Sequence, residues 1–185
     1  MILSRRALFG AVLATLPSPS PISLAYAGGQ LSWPGGATRA AYGRGGVRAD
    51  KREGDGATPA GVFRLVSVFY RPDRVSAPRT GLPVTALTAD MGWVDDPADP
   101  NYNRVVALPY PASHEELWRV DEIYDLIVVI GYNTAPVVAG AGSAIFLHVA
   151  RHDYAPTAGC IAVAKPVLVA LLGLLGPGST ITIEP

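Results

Sequence analysis

Cys160 is the chain's only cysteine, and it follows His148 by twelve positions. The two belong to one stretch, residues 144–164, which reads A-I-F-L-H-V-A-R-H-D-Y-A-P-T-A-G-C-I-A-V-A. A β-rich apolar run, 144–150, carries His148. A polar loop, 151–159, follows, and a second β-rich run, 160–164, starts at the thiol. Two strands joined by a loop bring their ends together, so thiol and imidazole are expected to be neighbours. That pair is the minimal apparatus for thiol nucleophilic catalysis. A free thiol has a pKa of about 8.5 and is mostly protonated at neutral pH, so it needs a base, and His148 is the candidate. Attack on a carbonyl also makes an oxyanion that needs preorganised donors. The backbone N–H groups of Gly159 and Cys160 are the expected oxyanion hole, with Gly159 leaving the backbone open to close approach.

A lone cysteine is ordinarily a small buried hydrophobe, and a histidine on an apolar strand is ordinarily a satisfied core residue. What separates Cys160 and His148 from those cases is the pattern around them, Thr157-x-Gly159-Cys160 with His148 upstream. A zinc site from Cys160, His148 and His152 lacks a fourth ligand and any close ligand pair, so no metal and no cofactor is expected. His114 is expected on the first turn of a short helix, away from the chemistry.

I-F-L-H at 145–148 followed by T-A-G-C-I-A at 157–162 resembles the active-site signature of the L,D-transpeptidase catalytic domain, the YkuD-like family. By that resemblance His148 matches the base, Thr157 the Ser/Thr, Gly159 the glycine and Cys160 the nucleophile. Ala158 stands where most members have a second His, and Ala162 where many have Arg or Asn. The chain therefore resembles a divergent branch with T-A-G-C in place of S/T-H-G-C. Thr58-Pro59-x-Gly61 leading into a strand, and Ile130-Gly131-Tyr132-Asn133 before the catalytic stretch, extend the resemblance over most of the chain. Thr157, Tyr132 and Asn133 are the expected substrate contacts, and Arg151 the expected source of the positive charge that Ala162 lacks.

The elements that must position these groups read as mainly β. Hydrophobic residues make up 49% of the 185, enough for a core, while 20 Gly and 17 Pro favour turns over a helical bundle. Strands are expected at 30–33, 62–70, 91–93, 104–108, 126–131 and 179–184. Two short helices are expected. One starts at Ser113-His114-Glu115-Glu116, a capping box. The other runs from Pro166 to Leu175, with a leucine stripe and Gly176 as its stop. The resemblance implies a YkuD-like mixed β-sandwich. The charges at 37–56, Lys51 and Arg44 included, read as a solvated face, and Asp95, Asp96 and Asp99 as a solvated loop.

Residues 1–27 read as an export signal. Arg5 and Arg6 precede a ten-residue apolar run, Ala7 to Leu16, too short to span a bilayer. Ser4-Arg5-Arg6-Ala7-Leu8-Phe9 is similar to a twin-arginine signal, and Ala25-Tyr26-Ala27 fits a small-x-small cleavage site. The expected catalytic domain is then 28–185, exported to the periplasm or cell wall and not integral to the membrane. Losing Arg5 and Arg6 leaves thirteen basic against fifteen acidic residues, a net −2, which disfavours nucleic acid. No nucleotide-binding fingerprint is present.

The resemblance implies an exported cysteine L,D-transpeptidase acting on peptidoglycan stem peptides. Cys160 attacks a carbonyl, His148 moves the proton, and an amine resolves the thioester, forming crosslinks or exchanging terminal D-amino acids. Two alternatives stand beside it. Water as the acceptor gives an L,D-carboxypeptidase or crosslink hydrolase. Loss of chemistry leaves a wall-binding domain.

Overall fold

The structure, a computed structural model, describes residues 19–185. In chain order the strands are β1 (Ser23–Ala27), β2 (Gln30–Trp33), β3 (Gly36–Arg39), β4 (Val47–Arg48), β5 (Thr58–Pro59), β6 (Gly61–Tyr70) and β7 (Val84–Ala86). There follow β8 (Met91–Val94), β9 (Val105–Ala107), β10 (His114–Glu116), β11 (Leu126–Ile130), β12 (Phe146–Val149), β13 (Ile161–Val163), helix α1 (Lys165–Leu172) and β14 (Thr180–Ile183). The mainly β expectation is met.

The main sheet runs β13-β12-β11-β6-β14-β1-β2-β3, with β7 beside β6. The chain leaving β3 returns to β13, where Ala41 and Ala162 exchange two backbone hydrogen bonds of 2.8 and 2.9 Å. The sheet therefore almost closes on itself, like a barrel. Its interior is aliphatic. Leu126, Val128 and Ile130 of β11, Leu147 and Val149 of β12, and Ile161 and Val163 of β13 point inward. Leu168, Leu171 and Leu172 of α1 meet them there. Side chains alternate across a strand, so Ile127, Val129 and Phe146 point outward. A three-stranded sheet, β10-β8-β9, covers them with Trp93 and Leu117. The catalytic stretch lies between these two layers.

Two sequence expectations are corrected. Residues 114–116 form no helix but pair with β8, Glu115 opposite Trp93. A box of cap residues supplies no buried stripe for a helix to rest on, whereas β8 offers an edge to join. The boundary at Ala27 also moves. Ser23–Ala27 is a strand flanked by β14 and β2, with Leu24 and Tyr26 buried and Ser23, Ala25 and Ala27 exposed. The small-x-small pattern here is the alternation of a half-buried strand. Arg5, Arg6 and the apolar run 7–16 lie outside the described residues. Among the described residues, no helix is long and apolar enough to cross a membrane.

Candidate active site

β12 and β13 are parallel, with His148 opposite Ala162. Cys160 lies two residues before Ala162, so it shares a face with His148 as a diagonal neighbour. Both side chains open into one cleft of about 500 Å³. The structure thus brings the two predicted catalytic residues together, each nearly buried (Cys160 6% and His148 5% exposed).

The imidazole is oriented. Nδ1 donates to the Val149 carbonyl at 2.9 Å. A carbonyl only accepts, so the proton sits on Nδ1 and Nε2 is left as the base. The Tyr124 ring stands edge-on to His148, 5.3 Å between centroids. Its hydroxyl donates to Glu115 Oε1 at 2.6 Å. The thiol points elsewhere: Sγ donates to the Ala144 carbonyl at 3.2 Å and accepts the Phe146 N–H at 3.4 Å. Burial pushes the thiol up to about 12, with the Glu115 charge adding to it. Burial pulls the imidazole down to about 4. The empty site therefore holds a neutral thiol and a neutral imidazole, not a preformed ion pair.

Thr157 braces the turn that ends at the nucleophile. Its hydroxyl donates to the Cys160 carbonyl at 2.6 Å and accepts the Gly159 N–H at 3.1 Å. One of the two expected oxyanion donors is thus engaged in the empty site. Gly159 is also there for a different reason from the one expected. It sits at φ +145°, and a Cβ would come 2.8 Å from the Ala57 carbonyl. The loop around residue 57 packs where any side chain would go. Thr58, fully buried, holds that loop by accepting the Gly43 N–H at 2.9 Å. The 41–44 segment then clamps the catalytic turn, Thr157 N–H to Tyr42 O at 2.8 Å and Arg44 N–H to Thr157 O at 2.9 Å.

Arg151 lines the cleft as expected, with its guanidinium 3.9 Å from Asp121. Tyr132 and Asn133 are not on the cleft wall. The Tyr132 hydroxyl donates to the Ala141 carbonyl at 2.6 Å. The Asn133 side chain ties Val138 and Gly142 at 2.7 to 2.9 Å. Both fasten the loop before β12. Ala158 and Ala162 line the cleft with methyl groups only.

Several cleft groups come from segments that sequence reasoning read as solvent-facing. Arg44, Glu53, Asp95, Glu115 and Arg119 all line it. Asp95 leaves Oδ1 buried without a hydrogen-bond partner. Burial raises the Glu115 carboxyl above its ordinary range. Lys51 is buried behind the catalytic turn, its ammonium 2.9 Å from Asp55. Asp96 and Asp99 accept backbone N–H groups in their own turns at 2.9 and 2.7 Å. No local pattern in the sequence marks Asp95 or Glu115 as cleft residues, because only the pairing of β8 with β10 brings them there.

Residues 21–183 match the family model of the L,D-transpeptidase catalytic domain, YkuD. No curated protein sequence matches the chain.

Proposed function

Because the chain belongs to the YkuD family of L,D-transpeptidase catalytic domains, whose activity is directed at peptidoglycan, we propose that it is itself a cysteine L,D-transpeptidase acting on stem peptides. The observation that carries this reading is the placement of Cys160 and an oriented, neutral His148 on one face of adjacent strands at one cleft.

The Cys160 sulfur attacks the carbonyl of the penultimate residue of a donor stem. The thiol proton passes to His148 Nε2 as the S–C bond forms, because neither group is ionised beforehand. The Cys160 N–H, with the Gly159 N–H once it leaves Thr157, faces the oxyanion. The C–N bond then breaks, and the imidazolium returns its proton to the departing D-amino acid amine. An amine of a second stem, or of a free D-amino acid, attacks the thioester and restores the thiol. The amide's energy is retained in the thioester, so no nucleotide is required. Carboxylates (Glu53, Asp95, Glu115) and guanidinium groups (Arg44, Arg119, Arg151) share the cleft, which suits a peptide bearing both ammonium and carboxylate groups.

Incubation with purified muropeptides, read by mass, tests the assignment. Crosslinked dimers or exchanged D-amino acids are expected. Tripeptide alone would make water the acceptor, an outcome that the bare Ala158 and Ala162 walls admit. Cys160→Ala is expected to lower product formation by roughly 10³-fold or more. Product formation that survives this substitution overturns the nucleophile assignment.

We also place the protein outside the cytoplasm, on the strength of the Arg5-Arg6 leader and the wall substrate. The folded unit includes β1, so processing falls ahead of Ser23. N-terminal sequencing of exported protein checks this; a chain starting at Gly28 would contradict it.

A further inference from the structure

Asn103 and Ala144 are non-glycine residues at positive φ, 58° and 52°, and they are bonded to each other. Asn103 Oδ1 accepts the Ala144 N–H at 3.1 Å and the Trp93 indole N–H at 2.9 Å. Its Nδ2 donates to the carbonyls of Tyr132 at 3.2 Å and Asn133 at 2.7 Å. The buried amide thus has both donors and both acceptor sites filled. Left-handed backbone costs an L-residue on the order of 1 kcal/mol, and it persists where the surroundings over-determine it. Here the strained conformation turns the Ala144 carbonyl onto Cys160 Sγ, 3.2 Å away.

We propose that Asn103 and Ala144 form a latch that parks the Cys160 thiol, still protonated, against the backbone of residue 144, and that leaving this latch is part of the nucleophile's activation. The inference rests on Cys160 as the nucleophile of the proposed reaction. An S–H that donates to a carbonyl is held in its neutral form. A thiolate at the same place would face the carbonyl oxygen's negative charge. Loss of the proton and departure from Ala144 are therefore one event, and the sulfur swings from the strand's backbone into the cleft that His148 lines.

The other groups around the sulfur are untouched by this latch. The Phe146 N–H and His148 come from β12, Glu115 from β10, Tyr124 from the segment before β11, and Lys51 from behind Gly159. Glu115 opposes ionisation of the thiol, while Lys51 and the Phe146 N–H favour it. A substitution at 103 or 144 therefore changes the latch alone among these.

The test is the rate of Cys160 alkylation by iodoacetamide as a function of pH, in the intact protein. Asn103→Ala is expected to raise the rate at neutral pH about tenfold, a fall of about one unit in the midpoint, while acyl transfer to peptide falls. Ala144→Gly tolerates the same backbone angle, keeps the packing and populates the latch less, so its midpoint moves the same way by a smaller amount. Near-UV circular dichroism identifies variants that stay folded. If Ala144→Gly and a folded Asn103→Ala both keep the wild-type midpoint, with only the melting temperature lowered, the role is structural and the latch is wrong. If Asn103→Ala unfolds, the Ala144→Gly midpoint decides. Alkylation needs no peptidoglycan, so the outcome is independent of whether muropeptides turn over.

Discussion

The two faces of β12 are built on different principles. Leu147 and Val149 look into an interior of leucine, isoleucine and valine, shared with β1, β14 and α1. Phe146 and His148 look into a layer of aromatic rings and a charged cleft. Trp93 and Tyr124 meet the Phe146 ring edge-on at 5.0 and 5.9 Å. The aliphatic face is defined by volume and tolerates exchange among similar side chains. The cleft face is defined by direction: a particular hydroxyl, amide or carbonyl at a particular angle. The non-glycine residues with positive φ at 103, 133, 144 and 154 all lie in loops on the cleft's side or in the catalytic loop. One strand thus carries stability on one side and reactivity on the other.

That contrast is open to direct attack. Phe146→Ala removes the ring that three cleft-side aromatics surround and is expected to cost about 3–5 kcal/mol by urea unfolding. Alkylation of Cys160 should change with it. Val149→Ala, one face over, should cost about 2 kcal/mol and leave the alkylation midpoint in place. If both variants shift the midpoint equally, the two faces are not separable.

Acid sharpens the same comparison. His148 is held neutral, with its folded value near 4 against an ordinary 6.5. The unfolded chain therefore binds the extra proton first. Stability is complete above about 6.5 and falls as pH drops toward 4, by about 3 kcal/mol over that window. His148→Gln should flatten this slope in equilibrium unfolding measured from pH 7 to 4. A slope that persists would assign the acid sensitivity to other groups.

The smallest expected effect is electrostatic. Glu115→Gln removes the charge that opposes the thiolate, so the midpoint of Cys160 alkylation should move down, with little change in melting temperature. An upward or absent shift would mean that Glu115 does not face the sulfur.

Legibility in the sequence followed the same division. The strands that carry Cys160 and His148 were readable because buried β runs are continuous and apolar, and the thiol and imidazole were readable from their spacing. The leucine stripe of α1 was equally plain. What closes the cleft was not. Asn103, Arg44, Glu53, Asp95 and Glu115 come from loops and short strands with no period, and their place depends on pairings between distant segments. Lys51 looked solvated because its neighbours do; its burial depends on Asp55 four residues on. β1 was misread for a subtler reason. Small residues at every second position serve a peptidase and an exposed strand face equally well, and Leu24 and Tyr26 become informative only once β14 is beside them.

The position of β14 has a consequence of its own. The final strand is an interior one, seated between β6 and β1, so the ring of strands lacks a member until the last few residues have been synthesised. A nascent or half-translocated chain leaves Leu24, Tyr26 and β6 without their neighbour. The thiol then has no finished cleft around it, and the protein matures as a whole only after its C-terminal end is free.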